Sequence, residues 1–505
     1  MAFVIYILFI SFLVFSVSDI PDRLIFAVIH FRHGARAPQA IDNNYLDVFG
    51  EKWTNPGELT GMGQRMHYIL GLRNRIRYIT QQKFLSEKFD PHEILIYSSS
   101  FNRTLVSASS NLQGLYPQIA EKGEVLTEAQ EKMSYPQVDV KCNEIDKEIE
   151  RLNGKALPDY MMITPVKMIN HNERKIIIFD IPGCTEEREE VKKKNRESLQ
   201  IIKDFQKDFN EKYGERLNKF FGTNNTEYEF PYINSICDAF ISAYTDTRKL
   251  TEFKKSGIDF NEFQEYCLEY NKINFLYHFC GDEEKSIPHL ETSKLMGEFI
   301  HYMKKRIDAD INGEKIEENH KDYSRPKMVI LSGHDSTLSS HEVFLMDALG
   351  YNSSFYRFPK FAAQMAFEVT RKDDGKKKND YSDYYINYYF NDEHMFNMTV
   401  KEFIEKVEPH FWSSEKINEF CGFDESKNKK VINSNSDNNI NNNNDNNNDN
   451  NNNNNVVRKK DKAKKAYKAL MIFFIVLTGA LLITTIFLGC LLSRKNNNHE
   501  IKNII

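Results

Sequence analysis

Arg32, His33 and Arg36 crowd into five residues, with Gly34 among them and Pro38 closing the run. Two guanidiniums flanking one imidazole make a dense cationic turn. Planar guanidinium forks match paired oxyanions, so such a turn suits a dianion held while the imidazole attacks it. Two distant stretches offer complementary groups. Arg103 falls where residues 98–108 read as a strand–turn–helix junction, beside backbone N–H groups that favour anions. His334 and Asp335 directly follow a short apolar run and the turn Ser332-Gly333. Each feature alone is compatible with a solvated loop. Together they make an anion-binding group, a nucleophile and an acid.

The elements that must position them are readable as well. Residues 24–31 are almost all apolar and partly β-branched, which predicts a strand covered on both faces. Residues 91–97 and 328–331 read the same way. In open α/β sheets, ligands collect beyond the carboxyl ends of strands. All three candidate groups sit at such ends, so they are expected to share one site. Thr60 is expected to N-cap a helix whose periodic face is Met62, Met66, Ile69, Leu72 or Arg73, and Ile76. His67 is expected to be a polar surface or boundary residue of that helix. Residues 175–179 read as a further strand, and 364–369 with 383–390 as an antiparallel hairpin. Residues 186–206 read as a charged, mostly solvated helix, and 295–304 as a helix burying Leu295, Met296, Phe299 and Met303. A final short helix is expected over 399–407. The fold class is therefore α/β: a three-layer body with a mixed central sheet flanked by helices, plus a smaller, mainly helical cap inserted at about 118–288.

Composition sets the context. The 505 residues are 41% hydrophobic and 13% aromatic, enough for a sizeable core, and the net charge is −5. Residues 458–468 hold seven basic side chains against one acidic, so the remaining chain is more acidic still. An acidic body argues against nucleic acid as a partner. Residues 1–18 read as a signal peptide lacking a basic start, with an uncleaved anchor as the alternative. Residues 469–492 carry no charge and are long enough to span a bilayer. The expected arrangement is a type I membrane protein. Its body (19–425) is lumenal or extracellular, in endolysosomal or secretory membranes, and its tail (493–505) is cytosolic. The basic run precedes the span, contrary to the positive-inside rule, but long domains translocate largely regardless of charge. Residues 426–457 form an Asn-rich tether expected to be disordered. Cys142, Cys184, Cys237, Cys267, Cys280 and Cys421 permit up to three disulfides, and no tight cysteine spacing points to zinc. Sequons at Asn102, Asn224, Asn352 and Asn397 fit secretion. Glu500 ahead of Ile504 and Ile505 resembles an acidic dileucine sorting signal.

The residues at 32–38 resemble the R-H-G-x-R-x-P signature of the histidine acid phosphatases. His334-Asp335 is similar to that family's distal His-Asp pair, Arg103 to its third phosphate-binding arginine, and residues 58–65 to its helix start. The closest resemblance is to the membrane-bound, lysosomal/prostatic type. It spans the body, is weakest in the cap, and does not extend to the Asn tract. It implies the phosphoglycerate mutase-like fold and hydrolysis of phosphate monoesters without a cofactor or metal. It also implies His33 as nucleophile through a phosphohistidine, Asp335 as proton donor, and Arg32, Arg36, Arg103 and His334 as phosphate ligands. A glycan on Asn102 would crowd that site, so Asn102 is expected to be unmodified or to point away. The competing readings are an inositol-phosphate or lysophospholipid phosphatase on the same fold, a phosphoglycerate mutase-like transferase, or a non-catalytic receptor-like ectodomain. Expected partners are the phosphate monoester and, through the single C-terminal helix, a membrane; homodimerisation is left open.

Overall fold

In the computed structural model the described residues are 22–39, 55–117, 126–134, 143–156, 164–169, 184–246, 250, 253–314 and 325–422. The chain divides into two units, 1–424 and 425–505, and every described residue belongs to the first. The expected signal peptide, the strand at 175–179, Cys142, the Asn-rich tether, the basic run, the span at 469–492 with Cys490, and the tail lie outside the described residues. Among the described residues no helix is long and apolar enough to cross a membrane.

The elements begin with β1 (Asp22–Arg32), α1 (Gly61–Arg75), β2 (Ile94–Ser98), α2 (Asn102–Leu115), α3 (Glu128–Met133), α4 (Asn143–Leu152) and β3 (Lys167–Met168). A helical stretch follows: α5 (Thr185–Ser198), α6 (Gln200–Phe209), α7 (Glu215–Phe221), α8 (Phe230–Thr245), α9 (Phe260–Ile273) and α10 (Ser286–Asn312). The chain then returns to the sheet with β4 (Met328–Gly333), α11 (Asp335–Leu349), β5 (Gln364–Lys372), β6 (Tyr384–Phe390) and β7 (Glu393–Thr399). It closes with α12 (Val400–Val407) and α13 (Ser414–Phe420).

The seven strands among the described residues form one mixed sheet in the order β3-β2-β4-β1-β5-β6-β7. β1, β2, β3 and β4 pair in parallel, whereas β5, β6 and β7 add on antiparallel. β1 alternates as a doubly covered strand must. Phe26 and Val28 face a core shared with α10, α11 and α12, and Ala27, Ile29 and Phe31 face the opposite core, which also holds Ala108, Leu112 and Leu115 of α2. A third core is built mainly of helices, from Ile202 to Ile273. This is the three-layer body with a helical cap.

The hairpin β5–β6 and the buried face of α10 (Leu295, Met296, Phe299, Met303) match expectation. β7 has no counterpart in the sequence reading. It is the edge strand and buries only Phe396 and, in part, three neighbours, so its residues carry no alternation to read. The single helix expected at 186–206 breaks at Leu199 into α5 and α6. It is also less solvated than its charge implies. Arg188 and Asn195 are buried, Arg188 bonding the Glu291 carboxylate and Asn195 donating to the His278 carbonyl at 3.0 Å.

The face of α1 is a larger correction. Ile69 and Ile76 are exposed, and the buried residues are Gly63, His67, Gly71 and Asn74. Hydrophobic spacing misleads here because α1 packs on α2 through glycines rather than through side chains. A Cβ on Gly71 would lie 1.9 Å from the Asn111 carbonyl oxygen, and one on Gly114 would lie 2.0 Å from that of Tyr68. The backbones approach too closely for an apolar ridge to intervene. Gly71→Ala is expected to destabilise the fold by ~1–3 kcal/mol or more through overpacking. Urea denaturation of the variant checks this, and an unchanged midpoint would contradict the close-packing account.

Candidate active site

β2, β4 and β1 are adjacent and end in register, with Ser98 beside Ser332 and Arg32 beside Gly333. The residues that follow the three strands therefore emerge side by side. From β1 come Arg32, His33 and Arg36; from the β2–α2 junction comes Arg103; from β4 come His334 and Asp335. All six line one cavity of about 470 Å³. The structure brings together every site residue expected from the sequence.

Local packing fixes the turn after β1. Gly34 is needed for proximity: a Cβ there would lie 2.4 Å from the Gly63 carbonyl oxygen at the start of α1. Its N–H donates to Ser107 Oγ at 3.2 Å. Thr60 caps α1 as expected, accepting from the Gly63 N–H, and its hydroxyl donates to the Ala35 carbonyl. His67 is fully buried rather than peripheral, and its Nε2–H donates to the Arg32 carbonyl at 3.1 Å. Burial holds its pKa down to about 3, so it braces the turn as a neutral ring.

His33 is 2% exposed, and its Nδ1–H donates to the carbonyl of Gly34 at 2.9 Å. A carbonyl can only accept, so the proton sits on Nδ1 and Nε2 keeps its lone pair. Burial, then the charges of Arg32, Arg36, His334 and Arg103, push its pKa well below the usual 6.5. Both effects favour the neutral, nucleophilic imidazole. The His334 ring lies edge-on to it with centroids 5.5 Å apart. His334 Nε2–H donates to Ser99 Oγ at 2.8 Å, leaving Nδ1 toward Arg103, 3.5 Å away.

The guanidiniums are held by aromatic faces and by carboxylates. Arg32 stacks 4.3 Å from the centroid of Phe361, donates to the Pro359 carbonyl at 2.8 Å, and pairs with Asp335 at 2.5 Å. Arg103 stacks on Phe101 at 4.4 Å, and burial lowers its pKa to about 10, which leaves it charged throughout the acidic range. Arg36 forks onto Asp238, at 2.9 and 3.2 Å, and Asp238 also accepts from the Gln39 N–H at 2.8 Å.

Asp238 is the carboxylate of this cavity that the sequence reading did not single out. It comes from α8, and Asn234, Asp238, Ile241 and Thr245 of that helix all line the cavity. A signal was present: Asn234 and Asp238 interrupt a long apolar helix four residues apart, hence on one face. The neighbouring Cys237 is bonded to Cys267, which ties α8 to α9, whose Gln264, Leu268 and Asn271 form more of the wall. A second disulfide joins Cys184 to Cys421, and Cys280 is buried outside any disulfide. Two bonds form among the described cysteines, within the limit of three expected from the sequence. Phe275 and Phe279 extend the wall from a π-helical turn (Asn274–Phe279), a distortion common at functional sites. Asn102 is exposed, and its amide donates to the Glu58 carboxylate at 3.2 Å.

Comparison with known proteins bears on this site. Over 97 residues the chain is 40% identical to lysosomal acid phosphatase of Xenopus laevis, covering 19% of this chain and 21% of that one. Over 112 residues it is 38% identical to human prostatic acid phosphatase, covering 22% of this chain and 28% of that one. The chain thus aligns with only about a fifth to a quarter of the length of these relatives. The phytase from Citrobacter braakii superposes with a TM-score of 0.46 at 13% identity, over 73% of this chain and 85% of that one. The family model described as histidine phosphatase superfamily (branch 2) matches residues 23–391, which takes in the three strand ends and the whole cavity, and the chain belongs to that family.

Proposed function

We propose that this chain is an acid phosphatase that hydrolyses phosphate monoesters through a phosphohistidine on His33. The observation that carries the reading is the state of His33. Its proton is committed to the Gly34 carbonyl, and its other nitrogen belongs to a cavity lined by Arg32, Arg36 and Arg103. In this reading the three guanidiniums grip the phosphoryl oxygens, and His334 adds a fourth contact, donating from Nδ1 when protonated. His33 Nε2 attacks phosphorus, the P–O bond to the alcohol breaks, and protonated Asp335 delivers its proton to the departing oxygen. Water then cleaves the N–P bond, with Asp335 accepting its proton. Asp335 is 2.5 Å from Arg32, so acid and cradle are within reach of one phosphoryl group.

The cavity supports small monoesters over polyphosphates. Arg36 is matched by Asp238, Arg188 by Glu291 and Lys192 by Glu189, which among the described residues leaves Lys360 as the surplus cation of the outer wall for a further phosphate. The two disulfides support an oxidising compartment, hence a lumenal or secreted body, since such bonds persist there. Attachment by residues 469–492, an endolysosomal location and the selection of substrate by the helical cap complete the proposal.

Three outcomes test it. His33→Ala is expected to fold as the parent does, by circular dichroism, and to lose p-nitrophenyl phosphate turnover; near-parental turnover would remove His33 as nucleophile. Asp335→Asn is expected to slow alkyl phosphates by ~10²–10⁴ but p-nitrophenyl phosphate far less, because nitrophenolate leaves without a proton. Equal losses on both substrates would remove Asp335 as acid. The third outcome concerns pH. A His pKa pushed below its usual value keeps the neutral form abundant as pH falls, so His33 stays nucleophilic where an ordinary histidine would be lost. Activity is expected to peak below neutrality because Asp335 must carry a proton to serve as the acid, and the depressed His33 pKa predicts that kcat/KM shows no acid limb near 6.5. A limb at that value, abolished by no other substitution, would contradict the assigned state of His33.

A further inference from the structure

We propose that His289, Asp347 and His410 form a zinc-binding clip at the far end of α11 from the active site. The three residues come from α10, α11 and the short 3-10 turn Glu408–His410 after α12. One ligand atom from each lies within 4.8 Å of the others. His289 Nδ1–H donates to the backbone carbonyl of His410 at 2.7 Å. That bond commits the proton to Nδ1 and turns the Nε2 lone pair toward Asp347 Oδ2, 3.1 Å away. His410 Nδ1 approaches the same oxygen at 3.4 Å. The His289 Nε2 lone pair and the carboxylate oxygen it faces repel unless a proton or a cation sits between them.

A metal ion fits these spacings better than protons do. Zinc binds imidazole nitrogen and carboxylate oxygen at about 2.0–2.1 Å, which sets a tetrahedral edge of roughly 3.3 Å. The two separations bracket that edge; 3.1 Å would also suit a hydrogen bond, whereas 3.4 Å is long for one. The histidine-to-carbonyl bond is the outer contact that usually orients a zinc-ligating imidazole. The site is also rigid on its inner side and open on its outer side. The His289 ring is buried and stacks on Trp412 with centroids 5.9 Å apart, at 7°. The Trp412 backbone N–H donates to Ser293 Oγ, one turn along α10, at 2.9 Å. Asp347 is exposed, leaving a fourth position for water. Bound zinc would clip α10, α11 and the segment leading to Cys421, adding to the Cys184–Cys421 bond. Asp335 and Asp347 lie twelve residues apart on α11, about 18 Å along the helix, so the clip is separate from the chemistry.

The test is titration of the purified full chain with zinc ions at neutral pH against a chromophoric chelator, with thermal unfolding as a second readout. One zinc per chain is expected, along with a higher unfolding temperature in its presence. Asp347→Asn and His410→Ala are expected to weaken binding at least tenfold and to abolish the thermal shift. Both variants should keep parental turnover of p-nitrophenyl phosphate, which shows that they fold. Equal affinity in parent and variants would overturn the proposal by placing the metal elsewhere. So would no binding in the parent, which would make the cluster a proton-held ion pair.

Discussion

Three guanidiniums in one buried cradle repel one another, and the rest of the site is arranged around that cost. Arg32, Arg36 and Arg103 are each at most 6% exposed, so water screens them little. Two carboxylates offset the charge: Asp335 on Arg32 and Asp238 on Arg36. Aromatic faces take part of the rest, through Phe361 and Phe101. In the proposed function, a phosphoryl group entering the cradle would meet preorganised donors, and its negative charge would replace that of carboxylates that withdraw or take up a proton.

The same crowding sets the state of His33. A cation placed among three others in a dry pocket is unfavourable, so the ring stays neutral, and the Gly34 carbonyl decides which nitrogen carries the proton. The backbone of the turn thus selects the tautomer. That backbone is in turn seated on α1 through the Gly34–Gly63 contact and braced by His67. A chain of close backbone approaches, from α2 through α1 to the turn, positions the imidazole. Such approaches admit only glycine, which is why the buried face of α1 is poor in hydrophobic residues.

Much of this was legible in the sequence, and the reasons are local. Strands β1, β2 and β4 announce themselves as short apolar runs, and the groups that follow them are contiguous with those runs. Because ligands gather at the carboxyl ends of parallel strands, Arg32, His33, Arg36, Arg103, His334 and Asp335 could be assigned to one site without coordinates. The Thr60 cap, the β5–β6 hairpin and the buried face of α10 follow equally local rules.

What the tertiary structure decided are relations between residues far apart in the chain. Asp238 reaches Arg36 across 202 positions, and His410 meets His289 across 121. Cys184 pairs with Cys421 over a separation of 237, while Cys280 stays unpaired by disulfide. His67 looked peripheral on its own helix and proved to be buried under Arg32. No periodicity encodes such encounters, because each depends on where two independently formed elements come to rest. The sequence alone determined the chemical groups and the strands that carry them. The packing of those strands and helices determined the charge balance, the tautomer and the walls around them.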